Sequence, residues 1–441
     1  MSLIRESLHL RVPFRDIEIA TKNFTTIIGK GGYGFVYKGD LLLSNKLTSV
    51  AVKRLENGLG QGLKEFLTEI QMLSHYKHPN LVSLLGYCEE GHEKILIYEY
   101  AERGSLDRYL SKANSMFPLP WKQRINVCID AARGLDYLHN HVAENQRVIH
   151  RDIKSANILL DHNWKAMIAD LGLSKLGRAN EIDTYLVTNA CGTQGYCDPV
   201  YIETGILTKE SDIYSFGVVL FEVLCGRLGF MKVNNESRFL APLARSCYEK
   251  GTLNDIIDLD LKNQVDSNSL NTVSEIAYQC LKNDRKQRPS MSLVVEKLVR
   301  ALELQELAEA SESQVLQKKN QRNNNENIWP YNQKKEKASG FTLVDLEMDL
   351  HCVGCARKVI KEICNFKGVE SVGVMDLELK KLTVSSTLDP VYLRQKVEKK
   401  TKKKVNRIFP SPKTTSDGRR WHIPTQMGKK VNRGYLWCSC V

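Results

Sequence analysis

At 441 residues the chain is longer than one hydrophobic core usually covers, so more than one domain is expected. Its net charge of +12 is unevenly spread, with +1 over residues 1–304 and +11 over residues 305–441, which joins a near-neutral body to a basic C-terminal region. Twelve scattered cysteines exclude a dense disulfide scaffold and suit a reducing compartment, and no N-terminal apolar stretch reads as a signal peptide or membrane span.

After an extension over residues 1–13, the first informative stretch is Gly29-Lys30-Gly31-Gly32-Tyr33-Gly34-Phe35-Val36, a G-x-G-x-x-G-x-V pattern. Dinucleotide-binding folds also use a glycine triplet, but there it leads into a helix. Here it leads into Phe35-Val36-Tyr37-Lys38-Gly39, a strand-like run, so a hairpin lid over phosphates is favoured. The Walker ending Gly-Lys-Ser/Thr is absent from this stretch. Val50-Ala51-Val52-Lys53 follows as a short apolar strand ending in a cation that can pair with phosphates once a carboxylate fixes it. Glu69 is best placed for this, because Phe66, Ile70 and Leu73 fall at helical spacing toward a core and leave Glu69 on the flank. Glu65 is the rival, read as an exposed first-turn carboxylate.

His150-Arg151-Asp152-Ile153-Lys154-Ser155-Ala156-Asn157, followed by Asp170-Leu171-Gly172, carries the chemistry. Asp152 has the type and place of a base for a hydroxyl, and Lys154 of a cation steadying a transferred phosphoryl group. Asn157 and Asp170 supply oxygens for two magnesium ions that bridge the phosphates of ATP. Isolated charged triplets are common on solvated loops, but this order and spacing, with matching parts upstream, argue against chance. Arg151 suggests regulation, since a phosphate on the segment that follows would pair with it. Thr184, Tyr185 and Thr188 are the candidate acceptors, with autophosphorylation expected among Thr184 to Thr188. Thr193 is read as structural, its hydroxyl bonding near Asp152 and Lys154, and Cys191 and Cys197 as ordinary packing.

Residues from roughly 14 to 304 resemble the plant receptor-like and Pelle-type protein kinases, and within them the malectin-type receptor kinases. The resemblance is carried by Ala20-Thr21-Lys22-Asn23-Phe24, Tyr98-Glu99-Tyr100 before Gly104-Ser105-Leu106, and Ala131-Ala132-Arg133-Gly134-Leu135. Ser211-Asp212-Ile213-Tyr214-Ser215-Phe216-Gly217 and Arg288-Pro289-Ser290-Met291 extend it. It implies a two-lobed α+β kinase fold and ATP binding through Gly29, Lys30, Gly31, Gly32, Gly34, Val36, Ala51, Lys53, Tyr98, Glu99, Ala101 and Leu159. Tyr98 takes the gatekeeper place and Glu99 to Ala101 the adenine-binding hinge. Lys154, two residues past the base, and Thr193 after Gly192 look like the serine/threonine class. Leu171 replaces the usual Phe of Asp-Phe-Gly, a nearly neutral change. Val200 replaces a glutamate that in the family pairs with the counterpart of Arg288, so the substrate-docking segment is expected to be loosened unless Asp198 or a water supplies an acceptor.

After Leu302 the sequence turns rich in Glu, Gln, Lys and Asn, and residues 305–340 read as a largely disordered polar linker, with residues 292–318 expected to extend the last kinase helix. From Phe341 the pattern of alternating and helical runs gives β-α-β-β-α-β, the ferredoxin-like order, over residues 341–409. Cys352 and Cys355 lie at the expected helix start, where two thiolates suit Cu+ or Zn2+. Thioredoxin-like redox chemistry is the rival, and the βαββαβ order argues against it. This region resembles the heavy-metal-associated domain, especially its plant isoprenylated group, as Leu388-Asp389-Pro390, Leu393 and Lys399-Lys400-Thr401 indicate. Metal binding is the expected role, and protein contact by a retained fold the alternative.

Residues 410–441 form a basic tail, and Cys438 stands at the cysteine position of a C-a-a-X ending whose aliphatic places are poorly filled. A prenyl group there plus the polybasic stretch would anchor the chain, against the reading of a solvated tail with incidental cysteines. Ser2 excludes N-myristoylation, and no base-reading module points to nucleic acid. The expected function is an ATP-dependent serine/threonine kinase in receptor-like signalling, cytoplasmic or at the inner face of the plasma membrane. Its expected partners are protein substrates and a membrane receptor kinase. A weakly active binding or decoy protein acting through the second domain is the alternative.

Overall fold

In the computed structural model of the chain, residues 7–31, 34–43, 45–55, 61–110, 119–178, 186–233, 236–262, 264–325, 342–348, 359, 362–363, 365–376, 381–401, 403–410 and 438–439 are described. The chain divides into two compact units, residues 1–309 and 310–441.

The first unit begins with an antiparallel sheet of β1 (Ile27–Gly31), β2 (Gly34–Leu43), β3 (Lys46–Leu55), β4 (Leu84–Glu90) and β5 (Glu93–Glu99), in the order β1-β2-β3-β5-β4. Side chains along a strand alternate between faces, and β3 uses the alternation to separate structure from chemistry. Val50 and Val52 are buried with Ile17, Cys88, Ile95 and Ile97, so Ala51 and Lys53 occupy the opposite face. The register sets Val36 across from Lys53 and Tyr98 across from Ala51, which brings all four to that second face. Helix α1 (Gln61–His75) buries Phe66, Ile70 and Leu73 in one core with Leu96 and Tyr98, as its apolar spacing predicts.

The lower lobe is mainly helical. Helix α2 (Trp121–Asn140) precedes a small sheet containing β6 (Ile158–Leu160) and β7 (Ala166–Ile168). The short α3 (Pro199–Thr204) is followed by α4 (Lys209–Cys225), α5 (Ser267–Cys280) and α6 (Met291–Asn325). Every residue of α4 from Ser211 to Cys225 is buried, and a mostly apolar helix enclosed on all sides belongs at the centre of its lobe. Arg124 of α2 is buried beside it. Its guanidinium reaches Asp258 at 2.7 Å and donates to the Val223 and Leu119 carbonyls. Burial also pushes the thiols of Cys88 to about 11 and of Cys128, Cys225 and Cys280 to about 12, away from reactive thiolate.

The last helix of the first unit runs on into the linker, as expected over residues 292–318, and goes further: α6 continues to Asn325. Over residues 305–309 its polar side chains find partners on the lobe: Gln305 accepts from the Asp266 amide and donates to the Gln264 carbonyl, and Lys122 meets Glu309 at 2.7 Å.

The second unit contains β8 (Thr342–Met348), β9 (Val369–Asp376), β10 (Lys381–Ser386), α7 (Pro390–Thr401), β11 (Val405–Pro410) and the two-residue β12 (Cys438–Ser439). The antiparallel order β11-β8-β10-β9-β12 places the first strand between the last long strand and the third, the split-βαβ arrangement. Alternate residues Val344, Leu346 and Met348 of β8 join Leu382, Val384, Leu393 and Val397 in the core. Residues 359 and 362–363 are helical, and Val359 and Ile363 are buried in that core, where the first helix was expected. Cys352 and Cys355 lie outside the described residues. Cys438 enters the sheet by backbone pairing with Val372, an edge strand that the tail sequence did not suggest.

Removing the partner of a buried charge costs about 3–5 kcal/mol. Asp258→Ala is therefore expected to destabilise the first unit by about that amount in urea unfolding, through the stranded Arg124 guanidinium.

Candidate active site

The roof of the site follows from strand alternation. Gly29, Lys30, Gly31, Gly34 and Val36 lie on the β1–β2 hairpin, where Gly29 pairs with Val36 and Gly31 with Gly34 across the turn. Gly32, also expected to bind phosphate, lies outside the described residues. Ala51, Lys53 and Tyr98 share the face described above. Glu99 closes β5, accepting from the Ser83 amide at 2.6 Å through its side chain, and the buried Ala101 follows. Half-buried Leu159, on β6, packs against the same core as Ala51 and Tyr98.

Lys53 joins the roof to the lower lobe. Its ammonium stands 3.3 Å from Glu69 of α1 and 2.6 Å from Asp170. Burial works against the charge on Lys53, but the two carboxylates outweigh it and raise the lysine above its ordinary value. Burial alone would also raise Asp170, yet the Lys53 charge and hydrogen bond hold its carboxyl below the usual range. Glu69, more deeply enclosed, is raised by burial against the same pull of Lys53. Glu65, expected to be exposed, is only 8 % exposed, and its Cβ lies 3.1 Å from where a side chain at Gly172 would begin. It forms part of the packing under the Asp170-Leu171-Gly172 turn, in which Leu171 is fully buried.

The catalytic loop is fixed from below. Asp212, in the first turn of α4, accepts from the backbone amides of His150 at 2.7 Å and Arg151 at 2.8 Å, and faces the His139 ring at 2.9 Å. His150 accepts from the Asp152 amide through Nδ1 and so donates through Nε2 to the Ala169 carbonyl, which ties the loop to the residue before Asp170. Arg151 and Asp170 both adopt left-handed backbone, with φ of 74° and 67°. Such conformations in non-glycine residues persist where surrounding contacts over-determine them, often at functional sites.

Asp152, Lys154, Asn157 and Thr193 converge. Lys154 Nζ meets Asp152 Oδ2 at 2.7 Å and donates to Thr193 Oγ1 at 2.7 Å, while Thr193 donates to Asp152 Oδ1 at 2.6 Å. Asn157 Nδ2 donates to the Asp152 carbonyl at 2.8 Å and its carboxylate at 3.1 Å. Gly192 permits this: at φ of 129°, a Cβ there would meet the Arg151 carbonyl at 2.8 Å and lift Thr193 off the loop. Asn157 is joined to the Asp170 turn through the Ala169 amide, which donates to the Asn157 carbonyl. The donors that Asn157 and the partly exposed Asp170 offer are oxygens, the set that a hard divalent cation prefers.

Arg151 is engaged by the segment it was expected to order. Its guanidinium donates to the Tyr201 hydroxyl at 2.6 Å, the Asn189 carbonyl at 3.1 Å and the Leu173 carbonyl at 3.0 Å, with Thr188 Oγ1 at 3.5 Å. Thr184 and Tyr185 lie outside the described residues. Val200 does not leave Arg288 without a mate, because Asp198 meets it at 2.9 Å.

Sequence reasoning passed over Tyr201, the anchoring role of Asp212, and Glu222. The last had a signal, a lone carboxylate in the apolar run Phe216 to Leu224. Glu222 accepts from the Tyr196 hydroxyl and from the Gly229 amide at 2.8 Å, holding the segment after Thr193 against α4. Burial pushes its carboxyl up to about 7, although these hydrogen bonds pull the other way. Below an unfolded value near 4.5 the group is neutral in both states. Between the two values the folded chain keeps a proton that the unfolded chain has lost, so this group's contribution to stability falls as pH rises through the window. Glu222→Gln, which keeps the accepting oxygen, is expected to flatten the decline in melting temperature across that window.

The comparisons with known proteins agree with this geometry. Residues 23–298 match the family of protein tyrosine and serine/threonine kinases, and residues 346–404 match the heavy-metal-associated domain. Over 310 residues, 69 % of this chain and 36 % of the relative, the sequence is 47 % identical to receptor-like protein kinase HERK 1 of Arabidopsis thaliana. From the same plant, receptor-like protein kinase FERONIA is 45 % identical over 67 % of this chain and 33 % of its own length. Receptor-like protein kinase ANXUR2 is 44 % identical over 70 % of this chain and 36 % of its own length. The chain thus spans about a third of the length of the curated relatives it matches. Among the described residues, no helix is long and apolar enough to cross a membrane, and no group of three or more His, Cys, Asp or Glu is placed to hold a metal.

Proposed function

The chain belongs to the family of protein tyrosine and serine/threonine kinases, and from that premise we propose that it transfers the γ-phosphate of ATP to serine and threonine hydroxyls of proteins. The observation that carries the reading is the closed triangle of Asp152, Lys154 and Thr193. Asp152 accepts the proton of the substrate hydroxyl as its oxygen bonds to phosphorus and the bond to the ADP oxygen breaks. Lys154 balances charge on the phosphoryl oxygens, and Thr193 fixes the carboxylate so that one oxygen faces the incoming hydroxyl. Lys53, held by Glu69, positions the phosphates of ATP under the glycine hairpin. Asn157 and Asp170 would hold magnesium, which when bound neutralises phosphate charge.

Thr188, beside Arg151, supports autophosphorylation on that segment, with Thr184 and Tyr185 the neighbouring acceptors. In the second domain, Cys352 and Cys355 are proposed ligands for Cu+ or Zn2+. The receptor-like relatives support work alongside a membrane receptor kinase, and the basic tail supports contact with an acidic membrane face, with or without a lipid on Cys438.

Two experiments test the reading. Transfer from labelled ATP to casein, followed by phosphoamino-acid separation, is expected to yield phosphoserine and phosphothreonine. Asp152→Asn and Lys53→Met are each expected to lower turnover by about a hundredfold or more. Unchanged transfer in both variants, or phosphotyrosine alone, would remove it. For the second domain, Cys352→Ser with Cys355→Ser is expected to abolish the copper(I) stoichiometry of the full chain, and equal metal content would reject the site.

A further inference from the structure

The segment between Gly192 and Leu207 lies against the base through Thr193, which donates to Asp152 at 2.6 Å, and α3 lies within it. The side chain of Asp198, which precedes α3, is fully buried. Its Oδ1 accepts from Arg288 at 2.9 Å and from the Val200 amide at 3.2 Å, capping the helix, and its Oδ2 accepts from Arg285 Nε at 2.9 Å and Nη2 at 2.6 Å. Arg285 also reaches past the other end of α3, donating to the Ile206 carbonyl at 2.8 Å and to Ser211 Oγ at 3.1 Å. Arg288 donates to the Glu210 carbonyl at 2.9 Å and the Lys282 carbonyl at 2.8 Å. One carboxylate and two guanidiniums therefore bind both ends of α3 to the start of α4, one residue before the Asp212 that anchors the catalytic loop. Within α3, Tyr201 completes the connection to Arg151, the neighbour of the base.

On the kinase reading just given, we infer that Asp198 is a positioning residue for the protein substrate, its clasp on Arg285 and Arg288 holding the docking segment in register with Asp152. Val200 has no acceptor on its side chain, so Asp198 supplies the negative charge that meets Arg288. Burial opposes that charge, but the two guanidiniums outweigh it and keep the carboxyl below its ordinary value. The clasp makes no direct hydrogen bond to Lys53, Glu69 or Asp170, whereas its segment carries Thr193 onto Asp152 and Tyr201 onto Arg151, so its first effect is expected on the protein substrate.

Asp198→Asn isolates the charge, because asparagine still caps a helix. Expected results are a rise in KM for casein of roughly tenfold or more, an unchanged KM for ATP, and faster amide exchange at Ile202 and Gly205, whose amides bond within this segment. Arg285→Gln, which leaves the Asp198–Arg288 pair in place, is expected to shift the same quantities less, and it alone decides the matter if Asp198→Asn does not fold. Wild-type values for both casein KM and exchange overturn the inference. So does a fall in turnover at constant KM that merely tracks a lower melting temperature. A wild-type chain that transfers no phosphate removes the kinase reading instead, and exchange in the two variants then decides the clasp by itself.

Discussion

Asp212 sits in the first turn of a helix buried along its length, and its two oxygens take the His150 and Arg151 amides and face the His139 ring. Backbone amides pinned to one carboxylate turn a loop into a rigid platform, since shifting either amide strands a donor in the interior. The left-handed turn at Arg151 is tolerable only because of that fixation. From this point the geometry spreads outward. The Asp152 amide meets His150, His150 meets Ala169, and the Ala169 amide meets Asn157. The groups that would touch substrate are thus referenced to the centre of the lower lobe.

The roof is referenced differently, through charge. Lys53 is held by strand pairing on β3, yet its ammonium is shared between a carboxylate of α1 and one of the lower lobe. Each charge alone would be costly where it lies; the carboxylates favour the charge on Lys53 and Lys53 favours the charge on Asp170, while burial raises Glu69 against the same pull. Such a bridge links hairpin, helix and lower lobe without a covalent tie, and phosphates arriving beneath the hairpin enter an electrostatic arrangement already in place. Preorganisation of that kind lowers the reorganisation needed at the moment of reaction.

Much of this was legible in the residues. The glycine hairpin, Lys53 with Glu69, the group around Asp152 and the order of elements in the second domain follow from spacing and alternation, which are local properties of a chain. Three features were not legible, for one physical reason. Glu65 reads as a surface carboxylate until the packing under Gly172 encloses it. The anchoring role of Asp212 stays hidden until the His150 and Arg151 amides reach it. Glu222 reads as a lone carboxylate in an apolar run until the Tyr196 hydroxyl and the Gly229 amide meet it. Each depends on what tertiary structure brings alongside, and a pattern within one segment carries no record of its neighbours.

The buried cysteines of the first unit have a use of their own. Cys88 lies on β4 of the upper sheet, Cys128 in α2, Cys225 at the end of the central helix and Cys280 in α5, all enclosed and all with thiols pushed far from ionisation. In the folded chain they are silent toward alkylating reagents, and each becomes reactive only when its own neighbourhood opens. The sequence therefore carries a set of native clocks, spread over both lobes, whose labelling rates would read local opening free energies region by region without any introduced probe.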